Sequence, residues 1–182
     1  TTRLPARVQS ADVGALPYAD AGFAAVVSTF GGMFTPDQDQ AASGMLRVCR
    51  PGGTIAMSNW TPDGIIGQVF KTIGKYLPPP AGVKSPALWG TEARIDELFS
   101  ADASSIGLTA RNFVFRYPSN DHFMNIFRTY YGPMHKAFLA LDEAAQKGLD
   151  ADLRAVLDRF NTVSNGTLVA PGAYVDVVIR RA

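Results

Sequence analysis

His122 and His135 are the only histidines in this 182-residue chain, and either could deprotonate a hydroxyl or amine near neutral pH. The plainer alternative for each is a solvent-facing histidine on a helix. Ser58-Asn59-Trp60-Thr61 follows the short apolar run Thr54-Ile55-Ala56-Met57, where a strand would reach its carboxyl end. Asn59 there could fix a polar substrate and Trp60 could wall it, while Thr61 fits a helix cap. Tyr130 and Tyr131 precede the helix-breaking pair Gly132-Pro133 and either line a substrate pocket or pack in the core. Trp89 is either a lid over the site or a loop anchor. Asp37 and Asp39 fit solvated carboxylates favoured by a helix amino terminus.

Several chemistries are excluded at this level. Two isolated histidines and one cysteine, Cys49, have no ligand-like spacing, so no metal site is expected. No G-x-S-x-G elbow is present for a serine hydrolase. A single cysteine cannot form an internal disulfide framework and fits a reducing, cytoplasmic setting. With 17 basic and 16 acidic residues the formal charge is +1, and no basic block marks a nucleic-acid or membrane partner. No apolar run approaches the ~18 residues of a membrane span. The expected partner is a small-molecule substrate, and a homodimer is allowed.

These residues need elements to hold them. Met45, Leu46 and Cys49 share a helical face that leads into Arg50-Pro51-Gly52-Gly53. Pro51 disfavours helix at Arg50, and the two glycines permit a sharp turn into Thr54–Met57. That run is apolar on both parities, as in a strand buried on both faces. Helix, turn and buried strand form half of an α/β crossover, and open α/β sheets bind ligands at the carboxyl ends of their strands.

Along the rest of the chain, residues 7–10 suit a short strand and Phe23 to Thr29 a second. Thr35-Pro36-Asp37-Gln38 predicts a helix capped by Thr35 with a reciprocal Gln38, running to Arg50. Thr61-Pro62-Asp63 starts another, with Ile65, Ile66, Val69, Phe70, Ile73 and Leu77 at helical spacing until Pro78. A short helix follows Thr91. Thr109 to Tyr117 alternates as a strand, with Phe113, Phe115 and Tyr117 on one side. Three amphipathic helices occupy 119–161, and Ala173 to Arg180 is the final strand. The expected fold is α/β, a mainly parallel sheet with crossover helices. One domain would span 1–182, with core elements in 1–118, an aromatic-rich helical cap inserted at 119–161, and the last strand in 162–182.

Three segments together resemble class I S-adenosylmethionine-dependent methyltransferases, in the branch that includes the quinone-biosynthesis type. They are Ala11-Asp12-Val13-Gly14-Ala15-Leu16-Pro17-Tyr18, Phe23-Ala24-Ala25-Val26-Val27-Ser28 and Leu46-Arg47-Val48-Cys49-Arg50-Pro51-Gly52-Gly53. Order and spacing agree over residues 7–60. Leu88-Trp89-Gly90-Thr91-Glu92 and Tyr130-Tyr131-Gly132-Pro133 are similar to one bacterial subgroup. The resemblance implies a Rossmann-like sheet, mostly parallel with an antiparallel last strand, and S-adenosylmethionine as cofactor. Asp12 would accept a hydrogen bond from the adenine amino group, and Val13 would meet the ring through its backbone. Ser28, Thr29 and Phe30 would lie beside the methionine part. The Pro-Gly-Gly turn would be scaffold.

Two departures stand out. Ala24 occupies a position where the family usually has Asp. The family's glycine-rich loop and the acidic residue that holds the ribose hydroxyls are not in these residues. By family order both belong upstream of Thr1, in two strand–helix units of roughly 60–90 residues at ~30 each. The expectation is therefore a methyltransferase present as an amino-terminally incomplete chain. The alternative is a non-catalytic binding or dimerising module with a degenerate methyltransferase fold.

Overall fold

A computed structural model describes residues 8–182, and Arg7 of the first expected strand lies outside them. Val8, Gln9 and Ser10 are exposed and form no strand. The regular elements are β1 (Phe23–Thr29), α1 (Gln38–Val48), β2 (Cys49–Trp60), α2 (Ile65–Tyr76) and α3 (Glu92–Phe99). They continue with β3 (Ala103–Tyr117), α4 (Asn120–Tyr130), α5 (Gly132–Ala140), α6 (Glu143–Phe160) and β4 (Leu168–Arg181).

The sheet order is β1-β2-β4-β3. β1 and β2 pair in parallel, and β4 runs antiparallel to both β2 and β3. Three strands therefore share one direction and the last strand opposes them, as expected from the sequence. Register places Val26, Ile55, Ile179 and Ile106 in one row and Ser28, Met57, Val177 and Leu108 in the next. These side chains point to one face by the period-two rule. Ile55, Val177 and Ile179 are fully buried there, beneath the apolar faces of α1, α2 and α3. The helical pattern of α1 is realised, since Ala41, Ala42, Met45 and Leu46 all lie in the core.

The opposite face corrects one expectation. Thr54, Ala56 and Ser58 are only half-buried, and the row Val27–Ala56–Val178 leaves Val27 69% and Val178 47% exposed. Among the described residues β2 is covered on one face, so its apolar run on both parities was no guide to two-sided burial.

Local chemistry moves several boundaries. Asp37, not Thr35, caps α1, accepting the Gln40 N–H at 2.9 Å. Thr35 instead donates its hydroxyl back to the Gly32 carbonyl at 2.9 Å, closing the preceding turn. α1 ends at Val48, and Arg50 to Gly53 form a bulge inside β2: Phe23 pairs with Cys49 but Ala25 with Thr54. Gly52 holds φ +70°, the left-handed conformation that glycine adopts without steric cost. α2 starts at Ile65, because Thr61 turns back instead and accepts the Gly64 N–H at 3.2 Å. β3 and β4 are longer than the alternation suggested. Their outer halves, Asn112–Tyr117 against Leu168–Ala173, project past the end of β2 as a two-stranded arm. The helices α4 to α6 pack against that arm and α2, which sets the cap beside the carboxyl ends of β1 and β2.

Candidate functional site

The carboxyl ends of β1 and β2 meet at Phe30. This residue sits at φ +54°, a conformation that clashes with a β-carbon and persists only where its surroundings enforce it. Its N–H donates to the Ser58 carbonyl at 2.9 Å, continuing the parallel ladder one residue past β1. Its ring stacks on Trp60, with centroids 4.1 Å apart and planes 18° from parallel, and meets Tyr174 edge-on at 5.3 Å. Ser28 supports the turn from below, its Oγ accepting the Gly32 N–H at 2.8 Å. A β-carbon on Gly32 would lie 2.6 Å from Met45 Cε, the movable end of a side chain, and 3.1 Å from Ser28 Oγ.

The loop carrying Asp12 reaches the same end of the sheet. Asp12 Oδ1 accepts the Gly14 N–H at 2.8 Å and caps the turn Val13–Ala15, and Oδ2 has no bond among the described residues. This turn rests on α1, where Gly14 faces Gln40 in the first turn and the Val13 carbonyl faces Gly44 just past the middle. α1 follows β1 and returns antiparallel to it, so its amino terminus lies at the carboxyl end of β1. Arg47, in the last turn of α1, anchors the far end of the loop. It donates to the carbonyls of Leu16 at 2.7 Å and Tyr18 at 2.6 Å and pairs with Asp20 at 2.8 Å. Ser28, Thr29 and Phe30 thus lie at the carboxyl end of β1, and the Asp12–Val13 turn packs on α1, the helix that follows them.

From Trp60 an aromatic wall continues into the cap. Trp60 contacts Phe115 at 5.7 Å, Phe115 contacts Phe127 at 6.1 Å, and Phe127 contacts Tyr131 at 4.9 Å. Tyr131 then meets Phe34, which follows β1, at 6.4 Å. Phe34, Tyr131, Gly132, Pro133 and Lys136 bound a cavity of about 420 Å³. Burial raises the Tyr131 phenol well above its ordinary value, so it stays protonated. Its hydroxyl oxygen is buried with no hydrogen-bond partner among the described residues. A second cavity of about 450 Å³, between Pro36–Asp39 and Ala81–Lys84, shares no residue with the strand ends.

The remaining sequence candidates fall in different places. Asn59 is 1% exposed and its Nδ2 has no partner among the described residues. Trp89 is fully buried against Phe99, a core position and not a surface lid, with its Nε1 also unpartnered. Tyr130 points outward at 78% exposure. His122 and His135 are both exposed, and His135 Nδ1–H donates to the Arg128 carbonyl at 2.9 Å. Phe34, Phe70, Phe115, Phe127 and Arg47 shape the site although no local pattern singled them out for that role.

This arrangement is a Rossmann-like α/β fold. The YcgJ protein of Bacillus subtilis shares the fold with a TM-score of 0.57 at 14% identity, over 96% of this chain and 70% of that one. Residues 1–57 match the family described as a methyltransferase domain. The uncharacterized protein Rv1405c of Mycobacterium tuberculosis is 38% identical over 159 residues, covering 86% of this chain and 56% of that protein. The demethylmenaquinone methyltransferase of Deinococcus radiodurans is 34% identical over 82 residues, 44% of this chain and 34% of that enzyme. The chain resembles a methyltransferase domain over residues 1–57, and its fold is shared with a solved neighbour. It spans about half the length of the curated mycobacterial relatives it matches. No helix among the described residues is long and apolar enough to cross a membrane.

Proposed function

We propose that the strand ends form the cofactor and acceptor site of an S-adenosylmethionine-dependent methyltransferase acting on a small molecule. What supports this reading is the strained Phe30 at the end of β1, stacked on the aromatic wall that begins at Trp60, with the Asp12 turn packed on the helix that follows. The residues fit such a cofactor. Asp12 Oδ2 has no partner among the described residues and can accept from an amino group, and Phe30 holds a strained conformation at the strand end.

The cofactor would be held by Asp12, Val13, Ser28, Thr29 and Phe30, and would supply a methyl group on a positively charged sulfur. The chain's own work is to orient and to exclude water. Trp60, Phe115 and Phe127 are buried and exclude water beside the strand ends. Both histidines lie on exposed helix faces, which favours an acceptor whose nucleophile is already unprotonated at neutral pH.

Calorimetric titration of S-adenosylmethionine into the full-length protein tests the reading. Saturable binding that weakens about tenfold or more in Asp12→Ala is the expected result. Failure of the full-length protein to bind would favour a non-catalytic module that keeps the fold.

A further inference from the structure

β3 is an edge strand that carries few of the devices by which edges are kept from pairing. Among the described residues it bonds to β4 alone, so one side of its backbone is an open row of donors and acceptors. It has 15 residues, against seven in β1 at the opposite edge. Its pairing with β4 runs in unbroken register from Ser105–Arg180 to Tyr117–Leu168, so the open side is long and regular. Natural edges are blunted by proline, lysine, bulges or a covering element. β3 contains no proline and no lysine, and its irregularity lies at its start, between Ala103 and Ser105. Phe113 is 52% exposed and Val114 39%. Successive strand residues point to opposite faces, so both faces of this edge are partly apolar.

A second copy of the chain supplies a matching strand, and the charges of β3 select one register. A two-fold axis normal to the sheet runs the two strands antiparallel and keeps the helices of both copies on the same face. With that axis at Thr109, Thr109 faces its own copy, Arg111 faces Gly107, Phe113 faces Ser105, and Arg116 reaches Asp102. Asp102 immediately precedes β3 and is the one acidic residue in or next to it. Asp102 and Arg116 are both exposed, and neither side chain has a partner among the described residues. Arg111 keeps its bond to Asp176, at 3.2 Å, because it meets only a glycine across the pair. An axis at Arg111 would instead oppose two guanidinium groups, and like charges directly opposite destabilise a strand pair.

We propose that β3 is a self-association surface: it pairs antiparallel with β3 of a second copy, an Asp102–Arg116 ion pair closing each end, and joins the two sheets into one. The proposal is independent of the methyl-transfer reading.

Sedimentation equilibrium of the full-length protein tests it, and a reversible dimer at micromolar concentration is the expected result. Arg116→Asp sets two carboxylates together at each end of the interface and should weaken dimerisation about tenfold or more. Asp102→Arg should do the same, and combining the two substitutions should restore the parent's dissociation constant. Both positions are exposed, so the variants should keep the parent's circular dichroism. Thr109→Cys, on the axis, should form an intermolecular disulfide on mild oxidation, since opposed Cα atoms in an antiparallel pair lie about 4.5–5.5 Å apart. The parent, whose Cys49 is buried, is the control that should not cross-link. A protein that stays monomeric, a dimer that Arg116→Asp leaves unchanged, a double variant no tighter than the single ones, or a Thr109→Cys dimer that does not cross-link overturns the proposal.

Discussion

Phe30 stacks on Trp60 at 4.1 Å while holding a backbone conformation, φ +54°, that its own β-carbon opposes. The ring contact and the bond from Phe30 N–H to the Ser58 carbonyl hold the residue against that strain. Left-handed backbone costs a non-glycine residue about 1–2 kcal/mol, and an aromatic pair contributes about 0.5–1.5 kcal/mol beyond its buried area. The two effects can be separated. Phe30→Ala keeps the strain and loses the ring, so it should be less stable than the parent by about 1–3 kcal/mol in urea unfolding. Phe30→Gly loses the ring but also the strain, and should be about 1 kcal/mol more stable than Phe30→Ala. An alanine variant at least as stable as the glycine variant would show that the conformation is unstrained.

Arg47 holds the loop that carries Asp12 without touching Asp12 itself. Its guanidinium ties down Leu16, Tyr18 and Asp20, and its own carbonyl accepts the Ala21 N–H at 2.9 Å. Arg47→Met keeps the aliphatic stem and removes the donors. The expected result is faster amide exchange across residues 12–21 and about tenfold weaker S-adenosylmethionine binding, roughly 1.4 kcal/mol. Faster exchange with unchanged affinity would separate the loop from the cofactor site.

The elements of the fold were legible because each carries a local pattern. The α1 face, the Phe23–Thr29 run and the alternation around Phe113–Tyr117 could be found from neighbours within a few residues. The site was legible only where a breaker or cap marked it, as Gly132-Pro133 marked Tyr131. Phe34, Phe70, Phe115 and Phe127 come from a turn, two helices and a strand, and no sequence period brings them together. Arg47 looks like any charged residue in a helix's last turn, because the carbonyls it binds have no side-chain signature. The cap of α1 was ambiguous for another reason. Thr35 and Asp37 are both good caps, and only the fold's use of the Thr35 hydroxyl on Gly32 leaves Asp37 to do it.

Arg94 is the chain's conspicuous buried cation, 4% exposed, and it ties α3 to α1. It donates to Gln38 Oε1 and Asp39 Oδ2, both at 2.9 Å, and pairs with Glu97 at 2.6 Å. Its hydrogen bonds hold both carboxyls below their ordinary values of 3.8 for Asp39 and 4.5 for Glu97. Their folded values are depressed, so the unfolded chain binds more protons in this window. The stabilisation is therefore present above the ordinary values and is lost as pH falls through the lowered ones. Both carboxylates are largely exposed, so solvent screening keeps the effect small. Unfolding measured from about pH 6 to pH 2 should show stability declining below about pH 4.5 in the parent. In Arg94→Met that part of the decline should be shallower, from a lower plateau. An unchanged acid limb in the variant would mean that the pairing does not couple to folding.

The Pro-Gly-Gly bulge in β2 makes a last contrast between two adjacent glycines. A β-carbon on Gly53 would lie 2.7 Å from the Arg50 carbonyl oxygen, 2.7 Å from Cys49 Sγ and 3.0 Å from the Ala24 carbonyl oxygen. Two of those atoms are backbone, one belonging to the bulge itself and one to β1, so neither can yield without opening the β1–β2 register. A β-carbon on Gly52 meets nothing within 4 Å, and the obstacle there is only φ +70°. Gly52→Ala should therefore cost about 1–2 kcal/mol, a conformational penalty alone. Gly53→Ala should cost more, about 2–4 kcal/mol, because steric overlap adds to a displaced strand pairing. Urea unfolding of the two variants measures the difference. Gly53→Ala should also loosen β1 first, because Ala24 is the residue it strikes there. Amide exchange should then quicken at Ala25 and Val27 before it does in β4. Equal stability of the two variants would show that the bulge tolerates a side chain and that the second glycine is not fixed by the close approach of β1.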